Sequence, residues 1–472
     1  AIEDYLILSE VDAPPSEQMR YVRCAAQIHE MDYREQRTSF APGLPPPGPV
    51  HRDIAMRKVE ILFRQATGLD WRETMAGGGA VARVSDFNAA TYMSYEAELG
   101  TAAAAGIELE PSQGTRERLH RLYGPARLGV VLGALQEQVG GQARCSESAL
   151  EAMPHDGSPA HQAAASLAFE RFQRLASLTD PGSDEELHCL RKCVAIYQTA
   201  GLPNHPDSPQ RSVALRVLQI VSDRAARKLL EDTRSAVPTA AKLLLEALQM
   251  HALARGLAGD FSLQGLQQAS ENWLQRYGAA VSTRLRHYAT AEAKYLWTQL
   301  STRTPPLPAA HRDAARQSVG AYKILAALTP PFSAERLQHL ERCMQAHAMA
   351  YGSSAQGPEK ASIATEAADI AFFLACGCRR SEDGGMVRTL HRFEPVAFLK
   401  YATLAKIEAR SRGGEGPSFD SLLRRHFGPA QEPQARVAVE AALMREHLAP
   451  CGNTVSGDFP PEVMNLIAGY EG

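Results

Sequence analysis

Histidine and cysteine side chains stand close together in two places, and close spacing of these ligands is what a zinc site requires. They are His188, Cys189 and Cys193 in one segment and Cys376, Cys378 and His391 in another. Zinc sites built from these ligands normally combine two pairs at stereotyped spacing. Each segment supplies only half of such a pattern, so the sequence predicts no metal ligand here.

Two further histidines, His161 and His311, occupy the same place in two similar segments of the chain. Each follows a proline-containing link at a predicted helix start, where a histidine is typically solvated or caps the helix. We therefore expect no catalytic role for either. Cys193 and Cys343 also match each other, with Cys24 nearby at the start of the chain, and their place on an apolar helix stripe predicts small buried hydrophobic residues.

Glycine-rich segments at 76–80 and 411–416 suggest phosphate binding, but neither follows a predicted strand. The first also lacks the Lys-Ser/Thr pair that closes a phosphate-binding loop. The tripeptide His51-Arg52-Asp53 copies the catalytic loop of protein kinases, yet the Asn and the metal-binding Asp that act with it are missing. The sequence therefore predicts no catalytic residue, no cofactor and no metal site.

The chain contains an internal repeat that sets its architecture. The segment LASLTDPGSDEELHCLRKC at 175–193 recurs 150 residues later as LAALTPPFSAERLQHLERC at 325–343, and 14 of 34 positions are identical between the windows 160–193 and 310–343. Residues 5–16 align with the same segment as a weaker third copy. Repeats of this kind indicate stacked or tandem structural units, and they move the functional question from single residues to the surface that the array presents.

A second landmark recurs at the same interval and in the same order. It is an aromatic residue followed by glycine, at Tyr123-Gly124, Tyr277-Gly278 and Phe427-Gly428. We predict that each glycine ends a helix in the left-handed conformation. Together the two landmarks predict three units, at residues 1–158, 159–308 and 309–472, of which the first is shortened at its amino terminus.

The fold class predicted for these units is all-α, with about six helices in each. Ala, Leu, Arg, Glu and Gln dominate, and strictly alternating β-branched runs are almost absent. Ser183 and Ser333 stand where N-caps belong. The third helices are predicted at 53–67, 210–232 and 360–376, and the fourth at 87–105, 238–257 and 395–410. Separate bundles and a continuous array of stacked helical hairpins both remain open.

Composition excludes several classes of partner. The net charge of -3 gives no case for nucleic acid, and no apolar run reaches the roughly 20 residues of a membrane span. The eight cysteines show no repeated pairing, so we expect reduced thiols in an intracellular compartment. The chain begins with Ala rather than Met, by processing or cloning, which leaves an organelle matrix after removal of a targeting segment as a further possibility.

The positions shared by the copies are apolar, capping or turn residues, and no polar constellation recurs. The leading hypothesis is therefore a non-enzymatic helical scaffold or accessory subunit that contacts protein subunits of a larger complex. A ligand carrier that binds an apolar or lipid-like molecule inside the bundles is the alternative. A second alternative is an enzyme in which one diverged unit collects His, Asp and Arg in a cavity.

Overall fold

All regular structure in the described part of the chain is helical, which confirms the all-α prediction. The computed structural model describes residues 2–10, 14–37, 49–75, 82–104, 107, 114–154, 158–200, 209–231, 236–301, 309–352, 357–380 and 393–448. Among the helices in these ranges, no stretch combines the length and the apolar character that crossing a bilayer requires.

The helices follow one another through short connections. In the first 200 residues they are α1 (Ile2–Glu10), α2 (Pro15–Arg37), α3 (Pro49–Thr67), α4 (Trp71–Met75), α5 (Ala89–Ala104), α6 (Thr115–Tyr123), α7 (Pro125–Glu151), α8 (Pro159–Leu178) and α9 (Asp184–Ala200), with a 3₁₀ turn at Val84–Asp86. The remaining helices are α10 (Pro209–Leu230), α11 (Ala236–Leu257), α12 (Leu263–Ser301), α13 (Ala309–Leu328), α14 (Ala334–Tyr351), α15 (Pro358–Cys376), α16 (Pro395–Ser411) and α17 (Phe419–Leu448).

The chain divides into two compact units. Unit 1 comprises residues 1–154 and 163–193, and unit 2 comprises residues 155–162 and 194–472. Within each unit, helices that are consecutive or nearly so pack together: α3 packs against α5 in unit 1, and α10 against α11 and α15 against α16 in unit 2. The predicted boundaries at residues 158 and 308 stay predictions.

The turns that join α8 to α9 and α13 to α14 begin their second helices as the sequence predicts. The Ser183 and Ser333 hydroxyls accept hydrogen bonds from the backbone N–H groups of Glu186 and Arg336, at 3.1 and 3.2 Å. These bonds satisfy donors that the first helical turn leaves unpaired. Both predicted N-caps are therefore confirmed.

The three glycines after an aromatic residue do turn the chain, but not in the predicted conformation. Gly124, Gly278 and Gly428 have φ of 68°, 81° and 66° with ψ of 170°, 174° and 173°. The left-handed helical prediction is wrong in its ψ angle, because the backbone is extended there and leads straight into another helix. α12 and α17 therefore each consist of two helical segments, joined at Gly278 and Gly428. This region of positive φ and extended ψ is open essentially to glycine alone.

An aromatic cluster fills the core of unit 1 between α3, α5 and α6. Phe63 packs on Tyr95 with ring centroids 5.3 Å apart, and Tyr95 packs on Tyr92 at 5.4 Å. Phe87 then contacts both Tyr92 and Tyr123, each at 5.6 Å. Ring pairs at such distances stabilise a core beyond the area that they bury. We call these five residues the unit 1 ring cluster.

Unit 2 contains the same arrangement between α15, α16 and α17. Phe372 packs on Tyr401 at 5.0 Å, and Tyr401 packs on Phe398 at 5.4 Å. Phe393 contacts Phe398 at 5.5 Å and Phe427 at 4.8 Å. Each contact has its counterpart in unit 1, in the same chain order. We call these five residues the unit 2 ring cluster.

Backbone hydrogen bonds beside the two clusters also correspond. In unit 1, the Asn88 N–H donates to the Ala66 carbonyl at 2.9 Å, and in unit 2 the Glu394 N–H donates to the Ala375 carbonyl at 2.8 Å. Both bonds tie the residue that precedes the fourth helix to the end of the third helix. The local packing of α3 with α5 and of α15 with α16 is therefore built in the same way.

Candidate functional site

The histidine expected at a helix start is buried rather than solvated. His161 lies in the first turn of α8 with 2% of its surface exposed, and its backbone N–H donates to the Ser158 hydroxyl at 3.2 Å. The expectation of a solvated side chain is therefore wrong for His161. The side chain of His311 lies outside the described residues.

The matched cysteines are buried, as predicted. Cys193 and Cys343 have no exposed surface, and their thiols approach the backbone carbonyls of Phe169 and Val319 at 3.6 and 3.4 Å. Burial raises the pKa of Cys193 to about 12 and raises the pKa of Cys343 as well. Both thiols therefore stay protonated and act as small core residues. Cys24 is half-buried.

Among the described residues, neither group of possible metal ligands converges on one point. His188 is exposed on α9, whereas the neighbouring Cys189 is buried. Cys376 is buried at the end of α15 and Cys378 is exposed, while His391 lies outside the described residues. Nowhere in the described ranges do three or more His, Cys, Asp or Glu side chains converge as a metal site would require.

The kinase-like tripeptide and the two glycine-rich segments form no recognisable site in the described residues. Arg52 and Asp53 are exposed on α3, and the His51 ring stands 4.5 Å from that of His29. Residues 76–80 lie outside the described residues. The segment 411–416 forms the end of α16 and a turn, in which Gly413 has a φ of 81°.

Unit 2 contains a cavity of about 680 Å³ that the sequence did not predict. We call it the Glu292 cavity. Its lining comes from α9, α11, α12, α13, α14 and α15, and it includes the apolar side chains of Met250, Leu253, Leu257, Val319 and Ile324, the aromatic residues Tyr197, Phe261 and Tyr351, and the charged residues Glu292, Asp313, Arg316, Lys323 and Glu359. Its volume lies in the range typical of small-molecule sites, although its lining contains more charged groups than such sites usually have.

Both cations of the Glu292 cavity are already paired. Lys323 is buried and its Nζ lies 2.9 Å from the Glu359 carboxylate. Arg316 lies 3.0 Å from the Asp313 carboxylate. Each cation therefore has a carboxylate within the same cavity wall.

Glu292 itself has a different environment. Its Oε1 accepts a hydrogen bond from the Gln249 side-chain amide at 2.8 Å. Within the described residues, no cation lies at ion-pair distance from it. Burial raises the pKa of Glu292, and the hydrogen bond from Gln249 opposes that shift. Burial of a carboxylate without a counter-ion is unfavourable for folding.

A second cavity of unit 2, of about 770 Å³, lies between the start of α12, the turn before α14, and α15. We call it the Arg336 cavity. Arg336 is buried, donates to the Gln267 amide oxygen at 2.9 Å and pairs with Glu366. Asp369 pairs with Arg380 at 2.6 Å. Burial raises the pKa of Glu366 and of Asp369, and the neighbouring arginines oppose both shifts.

The charges around the Arg336 cavity balance one another. Glu408 is buried and accepts from Arg380 at 2.8 Å, while Arg412 lies 3.1 Å from the same carboxylate and donates to the Thr365 hydroxyl at 3.0 Å. An internally paired network of this kind is typical of structural polar clusters. Arg336 and Asp369 are residue types expected in the active site of a diverged enzyme unit. Here Arg336 pairs with Glu366 and Asp369 pairs with Arg380, so the two do not form a pair of general acid and general base.

The backbone at the mouth of this cavity departs from its sister turn. Phe332 has a φ of 57° at the position where the α8–α9 turn has Gly182, with a φ of 77°. A side chain in the left-handed region costs roughly 1–2 kcal/mol. The Phe332 ring packs on Phe373 with centroids 4.8 Å apart, and this contact offsets part of that cost.

His426 adds a titratable group to the unit 2 ring cluster. It is 2% exposed, its Nε2 lies 2.8 Å from the Tyr401 hydroxyl, and its Nδ1 has no partner within the described residues. Burial, Arg425 and Arg380 together lower the pKa of His426 to about 4. The imidazole is therefore neutral at physiological pH.

Sequence reasoning missed Glu292, Lys323, Arg336, Asp369, Glu408 and His426. These polar residues differ between the copies, so the repeat pattern does not mark them. A search for charged residues on otherwise apolar helix faces would have found Glu408 and Lys323. Comparisons of the chain with protein-family models, with curated proteins and with solved structures found no match.

Proposed function

We propose that the chain consists of three diverged copies of a unit of about 150 residues and serves as a non-enzymatic helical scaffold or accessory subunit in a protein complex. The two ring clusters, the two Ser-capped turns and the three glycine turns support the three-copy organisation. All of these matched features stabilise helices or their packing. What the copies share is therefore structural, and what differs is available for contacts with partners.

The observation that carries the proposal concerns the helices that follow the three glycine turns. Each carries one large apolar side chain that lies mainly in solvent: Val130 on α7 (62% exposed), Tyr295 on α12 (64%) and Val437 on α17 (63%). Tyrosine is a usual anchor of protein interfaces, and an exposed valine adds apolar area to such a contact. The three side chains lie at different distances from their glycines, so what recurs is one exposed apolar side chain on the last helix of each copy, and this supports contact with protein partners along the array.

The experiment is a native mass measurement of the tagged full-length chain in a mild extract of the cells that produce it. The proposal predicts a particle much heavier than the 51.3 kDa chain. It also predicts that the triple variant Val130→Ser, Tyr295→Ser and Val437→Ser shifts the protein to lower mass without changing its helix content. A chain that migrates at its own mass in every extract would contradict the proposal.

A matched control variant changes three less exposed apolar residues, Leu8→Ser, Leu167→Ser and Leu215→Ser. It removes the same number of apolar side chains from α1, α8 and α10. We expect it to leave the heavy particle intact. Equal loss of the particle in both triple variants would mean that the last helices have no special part in assembly.

A second candidate function is that of a ligand carrier, and the Glu292 cavity favours it. The cavity combines apolar walls with charged groups, so we propose an amphiphilic small molecule rather than a purely apolar lipid. Mass spectrometry of the protein purified without harsh solvents tests this. A small molecule retained in a ratio of one per chain supports the carrier, and a chain of bare mass under native conditions counts against it.

The proposed setting is an intracellular, reducing compartment, supported by the seven described cysteines, all of which are free. The net charge of -3 supports protein partners rather than nucleic acid. Fractionation of cells and mobility-shift measurement with DNA and RNA test the two points separately.

A further inference from the structure

The lining of the Glu292 cavity contains one more carboxylate than cations. It contains three carboxylates, on Glu292, Asp313 and Glu359, and two cations, on Arg316 and Lys323. The two cations pair with Asp313 and Glu359 at 3.0 and 2.9 Å. One carboxylate, that of Glu292, is left without a cation within the described residues.

The paired cations also have aromatic neighbours that hold them in place. The Lys323 Nζ lies 5.7 Å from the centroid of the Phe261 ring, and the Arg316 guanidinium lies 5.6 Å from that of Tyr351. Cations over aromatic faces are stabilised by the ring quadrupole. Lys323 and Arg316 therefore each have both a carboxylate and an aromatic neighbour, and neither forms an ion pair with Glu292.

The group that does contact Glu292 is neutral. Gln249 donates one hydrogen bond to Oε1, and Glu292 belongs to the lining of the cavity. A half-buried anion whose only partner is an amide gains strongly when a cationic donor enters, since charge-assisted hydrogen bonds are about twice as strong as neutral ones. The walls around it include Met250, Leu253 and Leu257 from α11, which offer an apolar surface to the rest of a ligand.

We propose that the Glu292 cavity binds a small organic cation, a primary ammonium group carried on an apolar stem, with Glu292 as its counter-ion. This inference rests on the second candidate function, that of a ligand carrier, and adds the chemical class of the ligand. The ammonium group donates to Glu292, and the stem lies against the apolar side chains of α11 and α13. No covalent step is involved.

Three probes that share one stem and differ in charge test the inference. They are 2-phenylethylamine, the neutral 2-phenylethanol and the anionic 3-phenylpropionate, titrated into the full-length protein by calorimetry at neutral pH. We expect the amine to bind most tightly, the alcohol at least about tenfold more weakly, and the carboxylate not at all up to about 10 mM. Equal affinity for all three probes, or no binding of the amine in this range, overturns the proposal.

Two variants locate the site. Glu292→Gln keeps the size and the hydrogen bond to Gln249 but removes the charge, so the affinity for the amine falls at least about tenfold while that for the alcohol stays. Gly320→Leu fills the cavity from α13, where an added Cβ would meet no atom within 4 Å, and abolishes binding of both. Helix content and thermal unfolding show that each variant is folded.

Glu271→Gln is the matched control. Glu271 lies on the same helix, α12, and accepts a hydrogen bond from the Gln267 amide at 2.6 Å, but it is exposed and outside the cavity. This variant is expected to bind the amine as the unmodified protein does. Loss of binding in Glu271→Gln equal to that in Glu292→Gln would overturn the assignment of Glu292.

The failure of this inference and that of the carrier function are distinguishable. If the purified protein retains a neutral or anionic molecule, the carrier function stands and the ammonium inference fails. If the amine binds in a manner that depends on Glu292 while the purified protein retains nothing, the inference stands and the carrier function loses its support.

Discussion

The ring clusters of units 1 and 2 use the same geometry with different chemistry at two positions. Four ring contacts recur between them, at 5.3, 5.4, 5.6 and 5.6 Å in unit 1 and at 5.0, 5.4, 5.5 and 4.8 Å in unit 2. Leu122 in unit 1 corresponds to His426 in unit 2, and Ala102 corresponds to Glu408. Unit 1 therefore has apolar side chains where unit 2 has buried polar ones.

This difference distinguishes the ring packing, which both clusters share, from the polar residues, which only the unit 2 cluster has at these positions. A tyrosine and a phenylalanine exchange freely between the clusters, as Tyr92 and Phe398 do, because the rings supply most of the packing. The polar substitutions need new partners: Glu408 has Arg380 and Arg412, and His426 has Tyr401. Unit 2 thus has buried polar groups at two positions that are apolar in unit 1, whereas unit 1 has its own buried carboxylate elsewhere on α3, that of Glu60.

The largest effect is expected from substitutions that remove a ring from either cluster. Phe398→Ala removes a ring with no exposed surface from the centre of the unit 2 cluster and should lower the free energy of unfolding by about 3–5 kcal/mol. Tyr92→Ala should cost about as much in unit 1. Urea unfolding followed by circular dichroism measures both. A loss below about 1 kcal/mol in one variant alone would show that the two clusters do not have the same structural role.

The next prediction concerns the position at which unit 1 has Leu122 and unit 2 has His426, and it is a pH dependence of stability. The pKa of His426 is lowered from 6.5 to about 4, so the folded state binds its proton less readily than the unfolded chain does. Stability from this group is present at neutral pH and is lost as the pH falls from about 6.5 to about 4. The expected loss is about 3 kcal/mol.

His426→Leu introduces the residue that unit 1 has at the corresponding position, Leu122, and should remove this loss of stability at acid pH. The measurement is the free energy of unfolding at pH 7 and at pH 4, compared between the variant and the unmodified protein. His120→Leu, on the exposed side of α6, is the control and should keep the full acid dependence. An unchanged acid dependence in His426→Leu would mean that other groups cause it.

The smallest expected effect concerns the two capped turns. Ser183→Ala and Ser333→Ala each remove one hydrogen bond to a helix N-terminus and should cost about 1 kcal/mol. The two losses should be equal within about 0.5 kcal/mol, because the capping distances differ by only 0.1 Å. Thermal unfolding of the single variants measures them. A clear inequality would show that the turns differ in more than their Gly182 and Phe332 residues.

Helix positions were predictable from the sequence because their signals are local. In the third predicted copy, the sequence predicts the third helix at 360–376, and it lies at Pro358–Cys376. The fourth helix is predicted at 395–410 and lies at Pro395–Ser411. Proline at the first turn and glycine beyond the last turn mark these ends within a few residues of the chain. Ser183 and Ser333 were predictable as caps for the same reason.

The cavities and the ring clusters were not predictable in this way, because they depend on residues that meet only after folding. Phe63 and Tyr123 join one cluster from helices far apart in the chain, and Glu292 and Lys323 line one cavity from α12 and α13. The burial of His161 is equally non-local. The aromatic spacing of unit 1 does recur in unit 2, but insertions between the helices hide it from a comparison without gaps.

The most direct test of the three-copy organisation is a series of single alanine substitutions at its three glycine turns. Gly124, Gly278 and Gly428 share a φ near 70–80° and an extended ψ, and a Cβ at Gly124 or Gly278 would meet no atom within 4 Å. A loss at Gly124 or Gly278 therefore reports backbone strain rather than a clash. Each substitution should lower the free energy of unfolding in urea by about 1–3 kcal/mol. A turn that accepts alanine without loss would contradict the assignment of its segment as a copy.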